Sequence, residues 1–171
     1  VFTSNADNAT VKFTGVDPYI SNFGTETESG FTSSGRKLTE QLIKMTVQTD
    51  GSGNQVYVVP RLPIIGKKNP VTQSNPNNIW KGTIAGATED QRAAADRGSS
   101  WLNAAVFTRR DAPATYMDYA EVEFILAEAA LKGWIPGGEE EAEEHYEKAI
   151  TASMKKWSEQ GAYSETPTSI T

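Results

Sequence analysis

Apolar residues recur at Tyr119, Val122, Leu126, Ala129 and Ala130, a spacing that lines up side chains along one stripe of a helix. Phe124, Ile125 and Leu131 widen the stripe, and the polar remainder is little more than Glu121, Glu123, Glu128 and Lys132. A helix over about 118–132 is therefore expected to be covered on more than one side. Gly133, Pro136, Gly137 and Gly138 then break the pattern, and Trp134 with Ile135 is expected to fold back over the turn. A second helix is expected over about 139–160, with Ala142, Tyr146, Ala149, Ile150, Ser153 and Trp157 on one face. Glutamates at 139, 140, 141, 143, 144 and 147 open it and Lys148, Lys155 and Lys156 follow, an order that suits the helix macrodipole. The glutamate run is read as helix chemistry, not as a metal site.

Upstream the patterns are shorter. Val11-Lys12-Phe13 could be a short strand, and VDPYISNFG reads as a turn into extended chain because Pro18 biases Asp17 away from helix. Ser33 and Ser34 offer caps for a helix near 35–46, on which Leu38, Leu42 and Met45 share a face. A competing reading pairs Ile43, Met45 and Val47 with QVYVV across the Asp50–Asn54 turn as a hairpin. Residues 60–115 show little periodicity: Pro60, Pro63, Pro70 and Pro76 punctuate extended chain, with a short helix expected at Gln91–Ala95 capped by Thr88. The expected organisation is a loop-rich segment over 1–115 and a helical hairpin over 116–171.

The net charge of −6 and the lack of a long Lys/Arg run argue against binding nucleic acid. No apolar run approaches the roughly 20 residues that span a bilayer. The sequence has no cysteine, no G-x-S-x-G and no H-E-x-x-H, so no enzyme chemistry is marked and no cofactor is expected. His145, the one histidine, lies a turn after Glu141. A two-ligand metal clip is conceivable there, but a solvent-side structural histidine is the plainer reading, since zinc wants three or four ligands.

Ala142, Tyr146 and Ala149 form an A-x-x-x-Y-x-x-A pattern similar to the second helix of a tetratricopeptide unit, which cannot bury its own apolar face without a stacked neighbour. The run YAEVEFILAEAALKGWIPGG, followed by EAEEHYEKAITASMKKW, closely resembles the SusD/RagB family in its SusD-like branch. RRDAPATYMDYAEVEFILAEAA has that family's arginine, Asp-Ala-Pro and helix in order, and SSGRKLTEQLI with the Pro-Arg-Leu-Pro at 60–63 is similar to the segment before it. The resemblance implies a mainly α, SusD-like fold: a tetratricopeptide-like hairpin plus a long irregular segment with few short strands, both parts of one larger domain.

The resemblance also implies a function. The chain would be an internal piece of an outer-membrane lipoprotein, surface-exposed and anchored by a lipid on an N-terminus outside these residues. It would bind glycan without turning it over and deliver oligosaccharides to a SusC-like TonB-dependent transporter. A RagB-like peptide receptor and a helical-repeat scaffold are the alternatives. Sugar binding needs flat apolar faces with amides beside them, and Trp80, Trp101, Tyr19 and Asn78 are the expected ligand-binding residues, with Asn77 and Asn103 nearby. Each aromatic has a plainer use as core filler.

Overall fold

The structure, a computed structural model, describes residues 2–21, 23–24, 26–27, 36–69, 73–95 and 97–164. A 3-10 turn at Asn5–Asp7, closed by a capping box between Ser4 and Asp7, leads into strand β1 (Ala9–Val11). Helix α1 (Glu40–Thr46) runs directly into β2 (Val47–Thr49), which pairs antiparallel with β3 (Gln55–Val58). Helix α2 (Leu62–Ile65), strand β4 (Gly66–Lys67), helix α3 (Glu89–Ala95), strand β5 (Trp101–Leu102) and helix α4 (Ala104–Phe107) follow. Strand β6 (Ala114–Met117) then delivers the chain to helix α5 (Tyr119–Leu131) and helix α6 (Gly138–Gly161). The strands make three two-stranded antiparallel ladders, β1 with β6, β2 with β3 and β4 with β5, and the fold is helix-rich with little strand.

The helix expected near 35–46 is shorter at its start. Thr39 is the cap, its Oγ1 accepting from the Leu42 amide at 3.2 Å, while Ser33 and Ser34 lie outside the described residues. Residues before the cap are extended because they are needed as strand-like partners: the Leu38 amide donates to the Ser100 carbonyl and the Thr83 amide to the Leu38 carbonyl, both at 2.8 Å. The competing hairpin is also present, so the two readings divide the stretch between them. Asp50 fixes its turn, Oδ1 accepting from the Ser52 and Asn54 amides and Oδ2 from the Asn54 side chain; the Asn54 side-chain bond first, then the Asn54 amide, hold this exposed carboxyl below its ordinary pKa.

The loop-rich half has a core of its own. Leu38, Val47, Leu62 and Trp80 are buried together, with Leu42, Ile43, Val58, Ile65 and Leu102 packed against them. The chain reaches this density because glycine sits where backbones cross: a Cβ on Gly82 would lie 2.3 Å from the Glu40 amide nitrogen and 2.4 Å from the Glu40 Cα.

Helices α5 and α6 pack through alanine. Ala120, Ala127 and Ala130 on one helix, and Ala142, Ala149 and Ala152 on the other, are the buried apolar positions of the pair. Small side chains let the backbones approach closely, which turns the larger residues outward. Phe124 (40% exposed), Ile125 (53%) and Leu131 (66%) are open to solvent in this chain, as are Tyr146 and Ile150, while Val122 and Leu126 are half-buried. The hairpin therefore leaves the bulky part of its predicted stripe uncovered. At the turn, the Gly133 and Trp134 amides donate to the Ala130 and Ala129 carbonyls at 3.0 and 2.8 Å, the Schellman pattern that places Gly133 at φ +70°. Trp134 does not fold back over the hairpin; it is 71% exposed, with the Lys132 ammonium 4.8 Å from its ring centre.

Replacing Gly82 by alanine is expected to cost about 1–3 kcal/mol, the scale of overpacking against backbone that cannot retreat. Gly51→Ala, where a Cβ meets nothing within 4 Å, serves as the control in thermal denaturation.

Candidate functional site

A buried polar lattice positions the loops that carry the expected ligand residues. Asn75, 2% exposed, donates from Nδ2 to the Asn69 and Ile79 carbonyls and accepts the Ile79 amide at Oδ1, closing the turn at whose tip Asn78 stands exposed at φ +47°. Gln55 reads both polar groups of the Trp80 backbone, its Oε1 accepting the amide at 2.9 Å and its Nε2 donating to the carbonyl at 2.6 Å. The Ser100 amide donates to the Lys81 carbonyl at 2.7 Å, and Ser99 and Ser100 are fully buried. Gln55 and Asn75 escaped the sequence reading because nothing in their local pattern marks a long-range partner.

The four expected residues are placed differently. Trp80 is 6% exposed and belongs to the core. Trp101 is half-buried on β5, paired across the ladder with Lys67, and the Lys37 ammonium lies 4.7 Å from its ring centre. Its indole Nε1 is buried without an acceptor among the described residues. Gly66 lies between the two tryptophans: a Cβ there would stand 3.3 Å from the Trp80 ring and 3.3 Å from the Trp101 carbonyl. Tyr19, 66% exposed, belongs to a separate turn, where its carbonyl accepts from Gly15 at 3.1 Å and Ser21 bonds the Arg109 and Arg110 carbonyls. Asn103 is buried and reaches Pro63 and Ser164 instead of solvent.

Arg109 and its neighbours tie the loops to the hairpin. The Arg109 guanidinium stacks 3.3 Å from the Tyr163 ring centre, bonds Gln160 at 3.3 Å and pairs with Asp111 at 3.2 Å. Arg110 donates to the Gly15 carbonyl at 2.8 Å. Arg61 reaches Ser153 at 2.9 Å. These arginines join segments of the chain, which accounts for the Arg109–Asp111 motif without a ligand.

Between the helices lies a polar insertion that the periodicity hid. By periodicity Glu123 belongs to the polar remainder of its helix, yet it is 5% exposed and its Oε2 lies 2.5 Å from His145 Nδ1, while His145 Nε2 lies 3.2 Å from Glu141. His145 is thus an interface residue, not a solvent-side one, and its ring stands between the two carboxylates. Among the described residues no three His, Asp or Glu side chains converge to hold a metal ion. Burial and a hydrogen bond to Glu123 raise the Tyr119 phenol above its ordinary value, so the chain of polar contacts extends from Glu141 to Tyr119.

Asp118 caps α5, its Oδ1 accepting the Glu121 amide at 2.8 Å, and its Oδ2 meets Lys156 of α6 at 2.6 Å. Partial burial raises this carboxyl, but the Lys156 bond and the Glu121 amide outweigh it and hold the pKa below the ordinary 3.8.

The SusD-like family model described as starch-binding and associating with the outer membrane matches residues 1–169. A SusD homolog from Bacteroides fragilis superposes with a TM-score of 0.64 at 25% identity, over 98% of this chain and 38% of its own. A second SusD homolog from that species gives 0.64 at 23% identity, over 96% of this chain and 35% of its own. A chitin-binding protein gives 0.63 at 22% identity, over 94% and 33%. The chain spans 33–38% of the length of these structures. None of the curated proteins matches the sequence.

Three outcomes are expected in denaturation experiments. Trp80→Ala should lose about 3–5 kcal/mol of stability, as a buried aromatic does. Glu123→Ala should lose about 3 kcal/mol, and the Glu123→Leu, His145→Leu pair should recover most of that loss, because a broken buried pair costs more than an absent one. Because the folded pKa of Asp118 is depressed, its contribution is present above pH 3.8 and disappears as pH falls through the lower folded value; Asp118→Asn, which keeps the cap, should flatten that part of the stability profile.

Proposed function

We propose, from the premise that this chain belongs to the SusD-like family, that it is part of a cell-surface receptor that binds glycan and hands oligosaccharides to a SusC-like TonB-dependent transporter. The observation that carries the reading is the match of that family's model to nearly the whole chain. In this reading the hairpin and the loop-rich half are parts of one larger domain, held at the outer membrane by a lipid on an N-terminus outside these residues. Among the described residues no helix is long and apolar enough to cross a membrane.

Trp101, Asn78 and Tyr19 are proposed as ligand-facing residues, with Trp80 buried in the core. Trp101 offers part of an indole with a lysine against it, and Asn78 offers an amide on a fixed turn, the pairing of apolar face and polar fork that sugar rings require. Binding proceeds without turnover, since the site needs only to hold and release.

The full chain is expected to be retarded in native gels containing soluble starch or chitin oligosaccharide. Trp101→Ala should weaken binding about fivefold, the loss of one aromatic contact of about 1 kcal/mol, in protein that still melts cooperatively and loses less stability than Trp80→Ala. Binding of peptides with none of glycan, or hydrolysis of the glycan by purified protein, would overturn the proposal.

A further inference from the structure

A groove of about 480 Å³ runs between the N-terminal segment and helix α6, lined by Thr3, Ser4, Asn5, Tyr119 and one face of the helix. Two bonds hold its walls together. Asn5 Nδ2 donates to the Ala152 carbonyl at 3.0 Å, and the Tyr119 amide donates to Asn8 Oδ1 at 2.6 Å. Tyr119, the aromatic of the lining, is half-buried there.

The helix contributes Glu144, Lys148, Thr151 and Lys155, spaced about a turn apart, together with Glu147 and Ala152. Lys148 is paired with Glu144 at 2.5 Å. The remaining Lys155 and Glu147 are of opposite sign, so the lining has two positive and two negative side chains and no net charge.

We propose that this groove is a carbohydrate subsite separate from the Trp101 surface, taking one or two uncharged sugar residues. The proposal rests on the glycan-binding reading above and adds a second place and a ligand class to it. An aromatic wall beside Ala152 suits the C–H face of a pyranose. Thr3, Ser4 and Thr151 hydroxyls with the paired charges suit its hydroxyls, which both donate and accept. A carboxylated or sulfated sugar gains nothing in a lining whose charges cancel. The volume lies within the range of small-molecule sites.

The test uses the full chain and calorimetric titration with maltotriose, with trigalacturonate as the anionic probe. In Trp101→Ala protein, maltotriose binding should persist, and adding Thr151→Trp, which fills the groove from an exposed position, should reduce it at least tenfold. Lys155→Ser, a smaller change on the same wall, should weaken it about threefold and guards against misfolding of the tryptophan variant. Residual binding indifferent to both changes overturns the subsite while leaving the glycan reading intact, as does complete loss of binding in Trp101→Ala alone. Tighter binding of trigalacturonate overturns the uncharged class, and absence of any sugar binding by the unmodified chain overturns both proposals.

Discussion

The close approach of two helices over alanine is the constraint from which much of the rest follows. With Ala120, Ala127 and Ala130 facing Ala142, Ala149 and Ala152, there is no room at the seam for the large side chains that the sequence also supplies. Phe124 and Tyr146 therefore meet edge to face at 5.6 Å on the outside of the pair, and Ile125, Leu131 and Ile150 share that exposure. The buried polar pair at the seam, Glu123 with His145, makes the arrangement specific. Sliding one helix past the other would separate a carboxylate from its imidazole in a place where water does not compensate.

The loop-rich half is ordered by a different economy. Its elements are too short to be stable alone, since an isolated turn of helix or a two-residue ladder fixes more backbone than it rewards. They persist because Trp80 fills the space among Leu38, Val47 and Leu62, and because each extended segment finds its amide partners across the chain, from residues 36–38 to 100–102 and 81–83. Gln55 and Asn75 act as surrogate strands, satisfying backbone groups that no ladder reaches. A half built in this way exposes amides and partly buried aromatics on turns that cannot rearrange freely, which is the condition for a preorganised recognition surface.

Arginine joins the halves. Arg61 and Arg109 each reach α6, and Arg109 also stacks on the Tyr163 ring just past the helix and pairs with Asp111 of its own loop, a combination that lysine could not make. On the opposite approach the N-terminal segment docks by asparagine, Asn5 to Ala152 and Asn8 to Tyr119, and encloses the groove discussed above. The hairpin is thus the common support to which both the loops and the N-terminus are fastened.

The sequence by itself determined the hairpin, because a 3.6-residue period sustained from Tyr119 to Trp157 and broken only by Gly133 to Gly138 has one local solution. It also carried the family resemblance, which the model match over residues 1–169 supports. Local signals found the short helix that starts just after Thr88 and the Asp50 turn for the same reason: their partners lie within a few residues. Only the tertiary structure decided which positions of the helices face inward, since periodicity ranks Leu above Ala for burial whereas close helix packing reverses the order. Tertiary structure likewise moved Glu123 and His145 from surface to seam, shortened the helix at 35–46 to begin after Thr39, and made Trp80 core and Tyr19 surface. In each case the deciding partner lies far along the chain, and no pattern confined to neighbouring residues encodes such a contact.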